Sequence, residues 1–294
     1  MKRGKALGYL AGLLAVAVWS SVYSLKAVML VRMGPVEIVF LQYLGTTALL
    51  ALLAALRKQS LRVGRRAGLK LMCSGFVGVA LFQVLLNQGI AMVGSVMASV
   101  FSSLLPAMCM LVDVAVLKKR WGWLGWVGIA CSFAGILLVV GGAPLGGANL
   151  LGYLVLLASN GVWIFYCYFN KRFQDRHESV VLLFYQSLGA AVVLLPLAAA
   201  SGFRGFSAMA EPVFFLQMLF LAAINGVVAY LLLNFTIRTL DVVVSNILFN
   251  FVPVFTIFLE WMLYGSGVGP AQLLGTALVV SSALLTNLGG KRPL

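Results

Sequence analysis

Charged residues are scarce in this chain. They make up 10% of the 294 positions, whereas hydrophobic residues make up 62%. A soluble domain cannot bury so large an apolar share, so the composition excludes a water-soluble protein and indicates a lipid bilayer as the solvent. The net charge of +14 predicts membrane topology and not a nucleic-acid surface, because the cations lie in short loops between apolar runs.

Side chains suited to catalysis or metal binding are equally scarce. The chain has one histidine, His177, which lies in a charged loop, and its four cysteines fall inside apolar runs without the spacing of metal ligands. The sequence contains neither a cysteine–histidine constellation nor a paired-carboxylate constellation. We therefore expect no enzyme activity, no metal and no cofactor.

Ten apolar runs are long enough to span a bilayer. They cover approximately residues 6–25, 37–56, 68–90, 94–117, 122–141, 150–169, 180–200, 213–236, 241–264 and 271–289. Runs of this length satisfy their backbone hydrogen bonds internally as helices. The predicted fold class is therefore an all-α integral membrane protein with ten transmembrane helices.

The distribution of Lys and Arg predicts the orientation of these helices. Of the 21 Lys and Arg residues, 18 fall on the same side of the membrane as the N-terminus, and only Lys26, Arg32 and Arg204 fall on the other. Positive loops face the cytoplasm. We expect both termini in the cytoplasm and the protein in the inner membrane of a bacterium.

The sequence contains an internal repeat of two similar halves. Residues 85–87 (Leu-Leu-Asn) reappear as 232–234 at an offset of 147, and Trp19 reappears as Trp163 at an offset of 144. The predicted halves, 1–145 and 146–294, hold five spans each. Because five is odd, the second half enters the membrane from the opposite side, and such inverted repeats are typical of secondary transporters.

Polar and aromatic residues recur at equivalent positions of both halves, well inside the apolar runs. Such groups normally face the protein interior or a wet cavity, and we interpret them as a substrate cavity. The candidate substrate-binding residues are Trp19, Tyr23, Gln83, Asn87, Ser99, Ser103, Trp163, Tyr166, Tyr230, Asn234, Asn246 and Asn250. Two alternatives stay open: hydrogen bonding between packed helices for the polar groups, and core filling for the tryptophans.

Four further residues are candidates for gating or coupling. Pro106 and Pro253 loosen the fourth and ninth spans, because proline frees a backbone carbonyl of the preceding turn. Seven residues beyond them lie Asp113 and Glu260, one near each mouth of the predicted path. A buried carboxyl group can carry a coupling proton, or it can form a latch to a nearby donor, and both interpretations stay open.

The total pattern resembles the drug/metabolite transporter superfamily of EamA type over nearly the whole chain. The best-matching segments are residues 99–106 and their equivalent ending in Pro253, followed by Gly128 and Gly275. The resemblance implies a helical bundle with a central cavity, and export of amino acids, small metabolites or toxic organic compounds by alternating access.

The predicted cavity wall is apolar and aromatic, with amides and hydroxyls and without a buried Lys or Arg. It favours a neutral, zwitterionic or cationic organic solute as partner, with the lipid bilayer as surroundings and a proton as a candidate coupling ion. One alternative is an importer of an organic cation or quaternary amine, with Trp19 and Trp163 forming the binding cage. A second alternative is a channel.

Reporter fusions test the predicted orientation. Alkaline phosphatase fused after Gly34 should be active, and the same enzyme fused after Arg62 should be inactive, because phosphatase matures only outside the cytoplasm. Green fluorescent protein fused after Leu294 should fluoresce. The opposite pattern of phosphatase activity at the two sites would contradict the orientation.

Overall fold

The structure is a computed structural model that describes residues 2–141, 147–174, 176–240, 242–265, 267 and 269–288. All regular elements in this part of the chain are helical. The predicted boundary between the halves, after residue 145, lies outside the described residues, and so do residues 289–294.

Ten helical segments follow one another through the described residues. They are α1 (Lys2–Met29), α2 (Pro35–Leu56), α3 (Arg65–Val93), α4 (Ser95–Ala115), α5 (Trp123–Gly141), α6 (Gly147–Gln174), α7 (Ser179–Ala200), α8 (Pro212–Thr239), α9 (242–264) and α10 (Pro270–Leu288). Eight of them are long and apolar enough to cross a membrane. Within α5 and α10, the apolar stretches Trp123–Gly135 and Pro270–Ser282 are shorter.

The first helix is longer than predicted. It continues to Met29, four residues beyond the predicted end. Lys26 therefore belongs to α1 and is fully buried, and its assignment to an external loop was wrong.

Each half carries a π-helical stretch at the same place. Phe76–Leu81 interrupts α3 and Leu221–Ala229 interrupts α8, and the two overlap when residues are shifted by 147 positions. Such stretches inside α-helices are rare and are frequent at functional sites. Their recurrence shows that the two halves share a local backbone feature as well as a sequence pattern.

Pro106 and Pro253 lie at interruptions of α4 and α9, as predicted. In α4 a turn separates Ser95–Ser102 from Leu105–Ala115. In α9 a 3₁₀ stretch, Leu248–Phe251, precedes the helix that contains Pro253. Proline is tolerated in the first turn of a helix, where its missing N–H is not needed. Each proline therefore stands at the start of a new helical piece.

The halves pack with approximate two-fold symmetry. A Cβ placed on Gly8 of α1 would lie 3.0 Å from the Cγ of Leu240, just beyond α8, and one placed on Gly152 of α6 would lie 2.6 Å from the Cγ1 of Val93 in α3. Gly8 and Gly152 are repeat equivalents, and so are Val93 and Leu240. The start of α1 thus meets the end of α8, just as the start of α6 meets the end of α3.

Helices at equivalent positions of the two halves also pair directly. The most extensive pairings of this kind are α5 with α10 and α2 with α7. Between α5 and α10 the hydroxyls of Ser132 and Ser282 are 2.6 Å apart. Separately, one buried core cluster contains residues of both halves, from Ala15 of α1 to Val279 of α10.

The bundle has two distinct ends. The end at which α1 begins, named here the basic face, includes the loops around Gln59 and Glu178, whose side chains bond each other, and Arg238, which donates to the carbonyl of His177 over 2.7 Å. At the opposite face, Arg32 and Glu211 form an exposed ion pair of 2.8 Å.

The close approach of α3 and α7 generates a stability prediction. A Cβ on Gly75 would overlap the backbone oxygen of Gln186, and a backbone atom cannot rotate away as a side chain can. We expect Gly75→Ala to destabilise the fold by roughly 1–3 kcal/mol.

Gly161→Ala in α6 is the matched control, because a Cβ added to this glycine would have no neighbour within 4 Å. It should be neutral or stabilise by up to about 1 kcal/mol through helix propensity. Thermal unfolding of both variants in detergent measures the difference. A Gly75→Ala protein as stable as the wild type would contradict the packing.

Candidate functional site

An aromatic cluster occupies the centre of the bundle, where the two halves meet. The rings of Trp19 in α1 and Trp163 in α6 meet edge to face, with centroids 5.8 Å apart. Phe249 of α9 stacks on Trp19 at 4.9 Å, and Phe82 of α3 lies 4.6 Å from Trp163. Both tryptophans are buried. The repeat-related tryptophans that the sequence singled out therefore form one shared cluster.

Polar groups border these rings. The indole nitrogen of Trp163 donates to the side-chain oxygen of Asn246 over 3.1 Å. The hydroxyls of Tyr230 and Tyr43 bond each other at 3.2 Å, and Tyr230 also contacts Trp19 edge to face. The centre is thus apolar and aromatic with amide and phenol groups at its edge, which is the chemistry predicted for the wall.

A buried cation joins this polar border, contrary to the prediction that the wall lacks one. The ammonium of Lys26 donates to the side-chain oxygen of Gln83 over 2.6 Å, and neither residue is exposed. The Gln83 amide nitrogen in turn lies 3.4 Å from the hydroxyls of both Tyr43 and Tyr230. Lys26 is therefore connected to the aromatic centre through a single glutamine.

Amide side chains of the second half form a network of their own. Gln186 of α7 accepts from the Tyr166 hydroxyl over 3.0 Å and donates to Asn170 over 3.0 Å. The Asn170 amide then donates to Asn234 of α8 over 3.1 Å, and Gln174 donates to the same oxygen over 2.8 Å. Two predicted site residues, Tyr166 and Asn234, thus belong to contacts among α6, α7 and α8.

Other predicted residues bond between helices or within them. Tyr23 donates to Ser102 over 2.9 Å, and Asn250 donates to the carbonyl of Val279 in α10 over 3.2 Å. Ser99 bonds a carbonyl of its own helix. These contacts are of the helix-packing kind that the sequence left open as the alternative.

Asn87 and Ser103 are buried with unused polar capacity. Asn87 donates weakly, over 3.4 Å, to the carbonyl of Pro35, while its side-chain oxygen has no hydrogen-bond partner among the described residues. The Ser103 hydroxyl, in the turn before Pro106, also has none. Unpartnered polar atoms at this depth are costly, so both residues are suited to a ligand or to another arrangement of the helices.

The two acids predicted as gates each bond a neighbouring helix or loop. Asp113 accepts from the Lys119 ammonium over 2.8 Å and from the Tyr168 hydroxyl of α6 over 2.7 Å. Glu260 of α9 accepts from the Ser95 hydroxyl at the start of α4 over 2.6 Å. The first latch lies toward the basic face and the second toward the opposite face.

Two side cavities lie at equivalent positions of the halves. The basic-side cavity, of about 830 Å³, lies between α4 and α6 and is lined by residues including Val112, Val116, Phe165, Tyr168, Phe169, Lys119 and Arg172. The opposite-side cavity, of about 310 Å³, is lined by Ser21, Ser24, Leu25, Leu216, Gln217, Phe220, Leu259 and Leu263. The repeat relates Ser21, Ser24 and Leu25 to the aromatic residues of the first cavity. The repeat also relates the other wall of the opposite-side cavity, formed by Leu216, Gln217 and Phe220, to Leu69, Lys70 and Cys73, which line a further cavity of about 350 Å³.

Sequence reasoning missed two buried ionisable residues. Lys26 lies seven residues after Trp19 and three after Tyr23, a helical spacing that places all three on one face of α1, and this signal could have identified it. Glu37 accepts from the backbone nitrogens of Gly34 and Gly205 over 3.0 and 3.1 Å. No sequence signal indicated that a long-range turn would bind this carboxylate.

The fold and the repeat define a multi-pass helical membrane protein built from two related halves, and comparison with known proteins identifies the family. The EamA-like transporter family matches residues 6–141 and again residues 150–288. This chain therefore belongs to the EamA-like transporter family, which confirms the resemblance predicted from its sequence.

Two relatives are themselves named as transporters. "Uncharacterized transporter YdfC" of Bacillus subtilis (strain 168) is 22% identical over 214 residues, covering 73% of this chain and 69% of that protein. A "Probable terminal-alkyne amino-acid exporter" of Streptantibioticus cattleyicolor is 26% identical over 223 residues, covering 74% and 73%. A solved crystal structure with 19% identity superposes with a TM-score of 0.71 over 96% of each chain and supports the fold.

The buried latch and the exposed ion pair should respond differently to mutation. Asp113 is fully buried, so Asp113→Asn leaves Lys119 without its ionic partner and should destabilise by roughly 1–3 kcal/mol. Both partners of the Arg32–Glu211 pair are about half exposed, so Glu211→Gln should change stability by less than about 1 kcal/mol. Thermal unfolding in detergent compares them, and equal effects would show that the buried latch does not hold α4.

Proposed function

We propose that this protein is a secondary transporter that exports small organic solutes, with amino acids as the first class of substrate, by alternating access. The observation that supports this best is the pair of equivalent side cavities. One lies toward the basic face and the other toward the opposite face.

Alternating access needs two states in which the halves exchange roles. In an inverted repeat each half can adopt the conformation of the other, which closes one opening and widens its counterpart. In this scheme the cavities toward the two faces would widen and narrow in turn.

The latches have the positions required of gates in this scheme. Asp113, bonded to Tyr168, holds α4 to α6 beside the basic-side cavity, and Glu260, bonded to Ser95, holds α9 to α4 near the opposite face. Each latch consists of one or two side-chain hydrogen bonds. Breaking it would therefore cost little free energy compared with separating the packed helices. Protonation of either carboxyl would weaken its latch, which makes a proton a candidate coupling ion.

The chemistry of the centre favours a solute that is partly apolar and carries polar ends. Aromatic rings offer a flat apolar wall, and the surrounding amides, phenols and the Lys26 ammonium offer donors. The relative named as an amino-acid exporter is consistent with this class.

Two other functions fit the centre less well. An importer of an organic cation would place its positively charged substrate beside the buried Lys26, where like charges repel. A channel needs a continuous wet path, whereas a buried aromatic cluster lies where the two halves meet.

We infer that α5 and α10 are the fifth and tenth crossings, because they pair along their length as equivalent helices of the two halves. The two family matches support a division near residue 145. With an odd number of crossings in each half, both termini lie on the basic face. This face is the cytoplasmic one by the positive-inside rule, and the bacterial relatives fit an inner-membrane location.

A growth screen tests export. Bacteria producing this chain should gain resistance to toxic amino-acid analogues, whereas strains producing Trp19→Ala/Trp163→Ala, Asn87→Leu or Asn234→Leu should not, because these changes remove the aromatic wall or one of the predicted site amides. The inhibitory concentration of each analogue, with organic cations in parallel, is the measurement.

Membrane levels of each variant, measured with a fluorescent C-terminal fusion, control for lost expression, and Lys5→Gln on the exposed start of α1 is a matched neutral change. Sensitisation by the wild type would indicate import instead. Full resistance in both asparagine variants would contradict the assignment of these amides to the transport path.

A further inference from the structure

Lys26 is a fully buried basic residue, and no acid is bonded to it among the described residues. The only hydrogen bond of its side chain in this part of the chain goes to the neutral amide of Gln83. The buried or half-buried acids bond elsewhere: Glu37 to Gly205, Asp113 to Lys119 and Glu260 to Ser95. An ammonium in an apolar interior is strongly disfavoured unless an anion pairs with it.

The second half carries a counterpart of this position with other residues. The equivalent of Lys26 in the second half is Asn170, and the equivalent of Gln42 is Gln186. Gln186 uses both atoms of its amide and Asn170 uses both of its own, and the two bond each other. In the second half this glutamine and asparagine therefore bond each other, while the Asn234 amide nitrogen and the Gln174 side-chain oxygen beside them have no hydrogen-bond partner among the described residues.

In the first half the equivalent glutamine has no partner. Gln42 is fully buried, yet neither atom of its amide has a hydrogen-bond partner among the described residues. The side-chain oxygen of Asn87, equivalent to Asn234, is also without one. Lys26 itself offers three N–H donors, of which Gln83 takes one. The first half thus combines a cation with unused donors and acceptors.

These residues adjoin the aromatic centre. Gln83 connects Lys26 to the hydroxyls of Tyr43 and Tyr230, and the Tyr230 ring touches Trp19. A ligand bound to Lys26 through one end would have its other end at the rings.

We propose that Lys26, together with the amides of Gln42 and Gln83, binds the carboxylate of the transported solute, and that the aromatic cluster holds its side chain. The solute is then an α-amino acid or a related monocarboxylate and not an amine or an uncharged metabolite. The proposal rests on the proposed transport function, and it assigns the first half as the substrate-recognising half.

Ligand binding to purified protein tests this independently of transport. The full chain in lipid nanodiscs would be titrated with the twenty standard L-amino acids and with simple monocarboxylates, and each binder would be compared with its carboxamide. Thermal shift and calorimetry are the readouts. We expect the carboxylates to bind and their carboxamides to bind at least roughly tenfold more weakly.

Variants of Lys26 separate charge from structure. Lys26→Gln keeps a hydrogen-bonding side chain but removes the charge, and it should weaken carboxylate binding by roughly tenfold to a hundredfold while leaving the weak binding of the carboxamide unchanged. Lys26→Arg should retain part of the preference, and Lys5→Gln in the exposed part of the same helix should retain all of it. Gln42→Leu should weaken carboxylates selectively as well.

The outcomes distinguish this inference from the transport function. Equal weakening of acid and amide in Lys26→Gln would mean that Lys26 only supports the fold, and would overturn the proposal. Binding of amines or carboxamides in preference to every carboxylate would also overturn it, while export of those compounds in the growth screen would leave the transporter standing. Carboxylate binding without export would support the site and contradict the direction of transport.

Discussion

The structure depends on one constraint: in a bilayer, each polar group away from water must find its partner inside the protein. The chain meets this constraint mainly between helices. Ser132 bonds Ser282, Gln186 bonds Asn170, and Trp163 bonds Asn246. Because apolar surface gains nothing by leaving lipid for protein, these bonds and close backbone contacts hold the helices together. The few polar atoms that stay unpartnered are consequently the places where a second conformation or a ligand has most to contribute.

The duplicated sequence gives the fold its approximate two-fold symmetry. Side chains that differ between equivalent positions make the two halves chemically different. Backbone features recur in both halves: the π-helical stretches of α3 and α8, the breaks before the prolines, and the glycine contacts at the starts of α1 and α6. Side chains differ next to the centre, where Lys26 faces an incomplete set of partners and Asn170 a complete one. A transporter of two equal halves can thus bind an asymmetric solute in one orientation.

Much of the architecture was predictable because it follows from composition and spacing. Long apolar runs become helices, and the proline breaks and the meeting of Trp19 with Trp163 follow from the repeat. The details of the polar site were not predictable to the same degree. A span assigned from hydropathy ends at its first charged residue, and the prediction therefore placed Lys26 in a loop. In the structure α1 continues for another turn and buries this lysine. Asn250 and Ser99 share a polar stripe in sequence, but helix rotation and the breaks before the prolines direct them to other partners.

The sequence by itself determined the solvent, the helical class, the two-fold repetition and the family, because each depends on the order of residue types along the chain. Only the tertiary structure decided which polar groups meet. It paired Asp113 with Tyr168 and Glu260 with Ser95, and it brought Glu37 to a distant turn. It left the amide of Gln42 without a hydrogen-bond partner among the described residues, and the side chain of Lys26 with donors that no described residue accepts. Those outcomes depend on helix length, rotation and approach distance, which differ by a few ångströms between arrangements that share one hydropathy pattern.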